Sequence, residues 1–219
     1  PAYPINAIPT SLKKTVMAVC VGTFLFILGF FLILELLDRT LRDSIRTRRL
    51  TGLPMLGASP KDSILEYRGQ IKEVQNIATK QLSNNILQFC HEKKANLPYI
   101  INFISTESGE GKSDVIEKLK SYWNSIGLKV SVAIGGTDFN TSSREYNLAK
   151  SITDFYTPGE EDILIVEYPS LRDANIAPEL LQEANLNLVI TRADRGWKET
   201  DKLLAQKLQQ QVAQTPLYI

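Results

Sequence analysis

The chain has 219 residues, 43% of them hydrophobic and 22% charged, with a formal net charge of +1. This is enough for one ordinary buried core and some additional chain, and the charge balance excludes recognition of nucleic acid through bulk basicity. Two cysteines, Cys20 and Cys90, lie far apart in dissimilar surroundings, which argues against a disulfide framework. Cys90 reads as a reduced thiol, and the single His91 beside it lacks the further His or Cys of a metal ligand set.

Residues 1–15 begin "PAYPINAIPTS", where Pro1, Pro4 and Pro9 favour an extended, stiff approach. Residues 16–37, "VMAVCVGTFLFILGFFLILELL", carry one charge, Glu35, close to one end. Roughly 22 residues at about 1.5 Å each reach about 33 Å, which suffices for a transmembrane helix. Lys13 and Lys14 precede this span, whereas Arg39, Arg42, Arg46, Arg48 and Arg49 follow it. The larger positive cluster predicts that residues 38–219 are cytoplasmic and residues 1–15 lie outside. A start outside the membrane with no export signal is expected of a piece of a longer protein.

Residues 39–49 are expected to continue the helix, with arginines among anionic headgroups. "TGLPMLGASP" then breaks it, so residues 38–61 read as a basic juxtamembrane helix and linker. Residues 62–90 show helical spacing through Ile64, Ile71, Val74, Ile77, Ala78, Leu82, Ile86 and Leu87. After them strands at 99–105, 128–134, 162–169 and 186–193 alternate with helices at 113–126, 178–184 and 198–212. The closing "TPLYI" reads as the opening of a fifth strand, again as in a longer chain. Continuous apolar strands alternating with helices predict an α/β fold over 62–219, a P-loop-type parallel sheet with helices on both faces.

The sharpest motif is "STESGEGKS" at 105–113, between a strand and a helix. Gly109 and Gly111 let successive N–H groups, from Ser108 and Glu110 onward, turn toward phosphate. Lys112 would reach the β- and γ-phosphates, the Ser113 hydroxyl would meet magnesium, and the helix N-terminus adds partial positive charge. The strict G-x-x-x-x-G-K-[ST] pattern fails at Thr106. "TRADRGWKETDK" at 191–202 reads as a solvated loop and helix start, with a position bordering the pocket as the alternative. Tyr146, Tyr156 and Tyr168 read as packing or surface residues before phosphoacceptors.

With its proline-led opening, single membrane helix, arginine-rich exit, "LTGLPMLGASP" and "ISTESGEGKS", the chain resembles the bacterial tyrosine kinases of exopolysaccharide synthesis, in which a Wzz-type chain-length-determinant region precedes the kinase. The resemblance implies a bacterial inner-membrane location, cytoplasmic binding of ATP or ADP with magnesium, homo-oligomers, and a polysaccharide polymerase and export machinery as partners, with membrane lipids and no nucleic acid. The family's loop, S-x-x-P-G-x-G-K-S, makes Ser105 a motif position and leaves Ser108 where proline is usual. The chain then departs from the family. Ile134 and Gly136 stand at its D-x-D acids, Asp138 is two residues late, and "ILIVEYPS" has Glu167 for the aspartate of D-x-P-P. The extra methylene of Glu167 displaces its carboxylate by about 1 Å or more, which is costly in phosphoryl transfer. The oligomerisation motif E-x-x-R-x-x-R falls on Ile77, Lys80 and Ser83. The expectation is therefore a polysaccharide co-polymerase with a degenerate kinase-like domain. The alternatives are an active tyrosine autokinase using Lys112, Glu167 and Asp138, and a membrane-tethered MinD/ParA-like ATPase.

Overall fold

The computed structural model describes residues 11–38, 40, 41, 43–60, 68–92 and 98–219. Residues 1–39 and 40–219 are separate compact units. In the first, helix α1 (Leu12–Leu37) buries none of its side chains. Its 26 residues, about 39 Å long, are apolar enough to cross a bilayer. Residues 1–10 of the proline-led segment, together with Arg39 and Arg42, lie outside the described residues.

The arginine-rich stretch does not prolong α1. Asp38 ends that helix in an extended conformation. Thr40 forms an antiparallel bridge with Gly196, and the Leu41 N–H donates to the Ala193 carbonyl at 3.1 Å. A new helix, α2 (Ser44–Thr51), starts where the Asp43 side chain accepts the Arg46 N–H. Burial of Leu41 beside Trp197 and Ala205 favours the break. The expected linker is also packed: Leu53 is buried, the Leu56 N–H donates to the Ile219 carbonyl at 2.8 Å, and the Ile219 N–H donates to Pro54 at 3.0 Å.

Helix α3 (Arg68–Glu92) follows, and residues 62–67 of the expected helix lie outside the described residues. Its apolar spacing is only partly used. Val74 and Ile77 remain about half exposed, while Ile86 and Cys90 are buried. Burial pushes the Cys90 thiol up to about 11, which makes it an inert packing group.

Five strands form one parallel sheet: β1 (Tyr99–Ser105), β2 (Val130–Ile134), β3 (Ile163–Ser170), β4 (Leu186–Val189) and β5 (Leu217–Tyr218), in the order β2-β3-β1-β4-β5. The fourth strand stops short of the expected 193, since the chain bends away after the Ile190 N–H bonds to the Ile104 carbonyl at 2.7 Å. Helix α4 (Lys112–Ser125) connects β1 to β2, and a short helix α5 (Arg144–Asn147) with a 3₁₀ turn at Ile152–Asp154 lies between β2 and β3. Helices α6 (Pro178–Glu183) and α7 (Glu199–Gln211) flank β4 in sequence.

Strand alternation divides the core. Ile101, Phe103, Ile163 and Ile165 join α3 and α4 through Ile86, Leu119 and Trp123. Ile104, Leu164, Val166 and Tyr168 join α6 and α7 on the opposite face. The same alternation sends Ser105 and Glu167 toward α4, the helix that begins at the phosphate loop. Buried Asn102 and Asn187 tie β1, β4 and α6 together. Asn102 Nδ2 donates to Asn187 Oδ1 and to the Leu180 carbonyl, and Asn187 Nδ2 donates to the Leu181 carbonyl. Tyr146 and Tyr168 are buried, with the Tyr146 hydroxyl donating to the Asn175 carbonyl, so both are packing residues.

Candidate functional site

Because β1 lies in the middle of the sheet, the loop leaving its carboxyl end opens beside β3, where α/β sheets place ligands. Residues 105–113 wrap this end. Gly109 and Gly111 adopt φ of 75° and 87°, a left-handed conformation that would strain any residue with a side chain, even though the space beside both is open. Ser108 to Ser113, Ile134, Gly135, Glu167 and Asp173 are among the residues lining a cavity of about 400 Å³.

Two contacts preset the polar side chains. Lys112 Nζ donates to Ser105 Oγ at 2.8 Å, and Ser105 Oγ donates to the Glu107 carbonyl at 2.7 Å. Ser113 Oγ donates to Glu167 Oε1 at 2.8 Å. Burial pulls the Lys112 ammonium below its ordinary value, while Glu167, Asp173 and Glu110 push it back. The residues expected from the loop motif are therefore together, and Glu167 meets them from β3.

The candidate acids after β2 are not part of this arrangement. Ile134 lines the cavity with an apolar side chain, and the Gly136 N–H donates to the Phe139 carbonyl at 2.8 Å. The Asp138 carboxylate is turned back to accept the Ile134 N–H at 2.7 Å. It closes the turn after β2, so the register shift that would make it a catalytic acid does not occur. Asp138→Ala is expected to cost about 1 kcal/mol of stability and leave nucleotide affinity within about twofold, as measured by thermal melting and ligand titration.

The loop 191–202 is not simply solvated. Arg195 Nε lies 2.6 Å from Glu110 Oε1, and its Nη1 lies 3.1 Å from Glu107 Oε2 and 2.8 Å from Asp201 Oδ2. Lys198 Nζ reaches Glu107 Oε1 at 3.0 Å, and Arg172 also pairs with Glu107. Glu110, 5% exposed, is held in this cluster by its carboxylate, while the residue also lines the cavity. Arg172 and Asp173 are site residues that sequence reasoning missed, their only signal being charge soon after an apolar strand, whereas Arg195 and Asp201 belong to the 191–202 segment, for which a place bordering the pocket is the alternative expectation.

The arrangement fits a phosphate chain: a glycine-rich turn, a lysine held in place and a helix start. For magnesium it offers the Ser113 hydroxyl and the Glu167 carboxylate, and a phosphate-bound magnesium takes one or two protein oxygens with the phosphates and water. That set can hold the ion. Beside it, the end of β2 and the turn after it carry Ile134 and Gly136, neither of which bears a carboxylate.

No family model and no curated protein matches the chain. Among solved structures, the kinase domain of Escherichia coli tyrosine kinase ETK aligns with TM-score 0.56 at 11% identity, covering 81% of this chain and 92% of that one. The BceF tyrosine kinase domain aligns with TM-score 0.54 at 13% identity over 82% of this chain and 98% of its own. The chimerical protein CapA2B2 aligns with TM-score 0.53 at 15% identity over 80% and 97%. The chain has the fold of the bacterial tyrosine kinase domains.

Proposed function

We propose that this chain is an inner-membrane polysaccharide co-polymerase, or chain-length regulator, of capsule or exopolysaccharide biosynthesis, with a kinase-like domain that binds nucleotide and has lost most or all turnover. The observation behind this reading is a complete phosphate cradle, Ser105–Lys112 and Ser113–Glu167, beside a β2 end that bears Ile134 and Gly136. ATP or ADP would sit with its phosphates over Gly109–Ser113, and Lys112 would neutralise them. Magnesium, when bound at Ser113 and Glu167, would offset phosphate charge. With no carboxylate at Ile134 or Gly136, where the resemblance places the acids that activate an acceptor, binding would organise the domain instead of driving transfer. The α1 helix and the arginines after it support a cytoplasmic-membrane location with lipid contacts, and the likeness to kinase domains supports the cytoplasmic side for residues 38–219. Copies of itself and a polysaccharide polymerase with its export machinery are the partners this reading implies.

Titration of the chain with ADP and ATP, with and without magnesium, tests the reading. Saturable binding, with phosphate transfer to tyrosine or water no faster than in Lys112→Ala, is expected. Rapid magnesium-dependent tyrosine phosphorylation that disappears in Lys112→Ala would favour the second reading, an active autokinase. The Ser113–Glu167 bond and Asp173 in the cavity wall are the observations on its side.

A further inference from the structure

The phosphate loop carries two carboxylates of its own, Glu107 and Glu110, and negative charge in such a loop opposes the anion it should hold. Both are compensated from the segment after β4. Arg195 is the centre of this compensation. One guanidinium faces Glu110 at 2.6 Å and Glu107 at 3.1 Å, and its Nη2 donates to Thr106 Oγ1 at 3.0 Å. The Arg192 backbone N–H adds a 2.6 Å bond to Glu110 Oε2, and Lys198 and Arg172 complete the charge around Glu107. Asp201, fully buried, anchors Arg195 from behind and accepts the Lys198 N–H at 3.0 Å. Among the described residues, three carboxylates (Glu107, Glu110, Asp201) therefore meet three cations (Arg172, Arg195, Lys198), which balances their charge. The Lys198 bond and the nearby arginines hold the Glu107 carboxyl below its ordinary value, so it is ionised near neutral pH and needs its countercharge.

We propose that Arg195 is the positioning residue and countercharge that turns an acid-bearing loop into an anion site for a nucleoside diphosphate or triphosphate. It acts through Glu107, Glu110 and Thr106 and does not touch the phosphates. The inference rests on the nucleotide reading of the cavity. Removing the guanidinium leaves one net negative charge in the loop beneath the phosphates, and the penalty should be electrostatic in character: reversed by removing a carboxylate and reduced by salt.

The test is titration of a fluorescent ADP analogue with magnesium into the full chain in detergent, with thermal melting of every variant. Arg195→Gln is expected to weaken binding about ten- to a hundred-fold at low salt, with the loss shrinking as salt rises. The double variant Arg195→Gln with Glu107→Gln is expected to recover at least half of that loss on a logarithmic scale. Arg195→Lys, which keeps the charge and gives up the fork, should stay within about fivefold of the unaltered chain and carries the test if Arg195→Gln does not fold. A role limited to packing predicts no salt dependence and a double variant no better than Arg195→Gln, and either result overturns the inference. Binding by Arg195→Gln equal to that of the unaltered chain overturns it while sparing the nucleotide reading. Failure of the unaltered chain to bind ADP removes both.

Discussion

Lys112→Ala is expected to weaken nucleotide binding by about a hundred-fold in titration calorimetry, with no comparable loss in thermal melting. The lysine is held at 2.8 Å from Ser105 Oγ at the mouth of the phosphate loop, so its position is prepared before ligand arrives. A charge-assisted bond to phosphate contributes about 1.5–3 kcal/mol, which corresponds to ten- to a hundred-fold in affinity. The pH dependence should carry the same signature. Burial lowers the Lys112 pKa, so the ammonium is lost at a lower pH than an ordinary lysine, and anion affinity falls on the alkaline side from that point upward. For the ligand-free fold the sign is opposite. The folded state favours the neutral amine, so this group makes stability rise with pH between its lowered folded value and its ordinary 10.5. Lys112→Arg, which does not titrate there, should remove both slopes.

Trp123→Ala should have the largest effect on stability, a loss of about 3–5 kcal/mol. Trp123 is fully buried in the cluster formed by α3, α4 and one sheet face, and its indole N–H donates to Ser83 Oγ at 2.7 Å. Truncation opens a large cavity and strands the buried hydroxyl of Ser83. Trp197 is the only other tryptophan, so denaturant unfolding of the variant can be followed by its fluorescence. A loss below about 1 kcal/mol would mean that α3 is not held to the sheet through this contact.

Much of the fold was legible because its causes are local. Largely apolar runs marked β1 and β3, glycine and lysine at fixed offsets marked the phosphate loop, and composition marked the apolar helix over 16–37, which in the structure begins four residues earlier, at Leu12. The expected fifth strand is present at Leu217–Tyr218. Errors arose where a long-range contact overrides local pattern. The arginine-rich stretch read as helix throughout, yet the backbone of Thr40 and Leu41 pairs with Gly196 and Ala193, more than 150 residues away in sequence. Val74 and Ile77 share the helical spacing of Ile86, but only the later part of α3 meets the sheet.

The candidate site divides in the same way. Ser105 to Ser113 form one continuous segment, and the chemistry of a phosphate loop depends on its own backbone, so sequence alone determined that half. It also determined that Ile134 and Gly136 bear no carboxylate, because residue identity needs no fold. Only the tertiary structure decided what the remaining charges do. Asp138 is used by its own turn, Glu167 reaches Ser113 because strand alternation turns it toward α4, and Arg195 neutralises a loop almost ninety residues earlier. The reason is physical: a Coulomb interaction depends on distance and burial, and neither is written in the spacing of residues that meet only when β1 and β4 lie side by side.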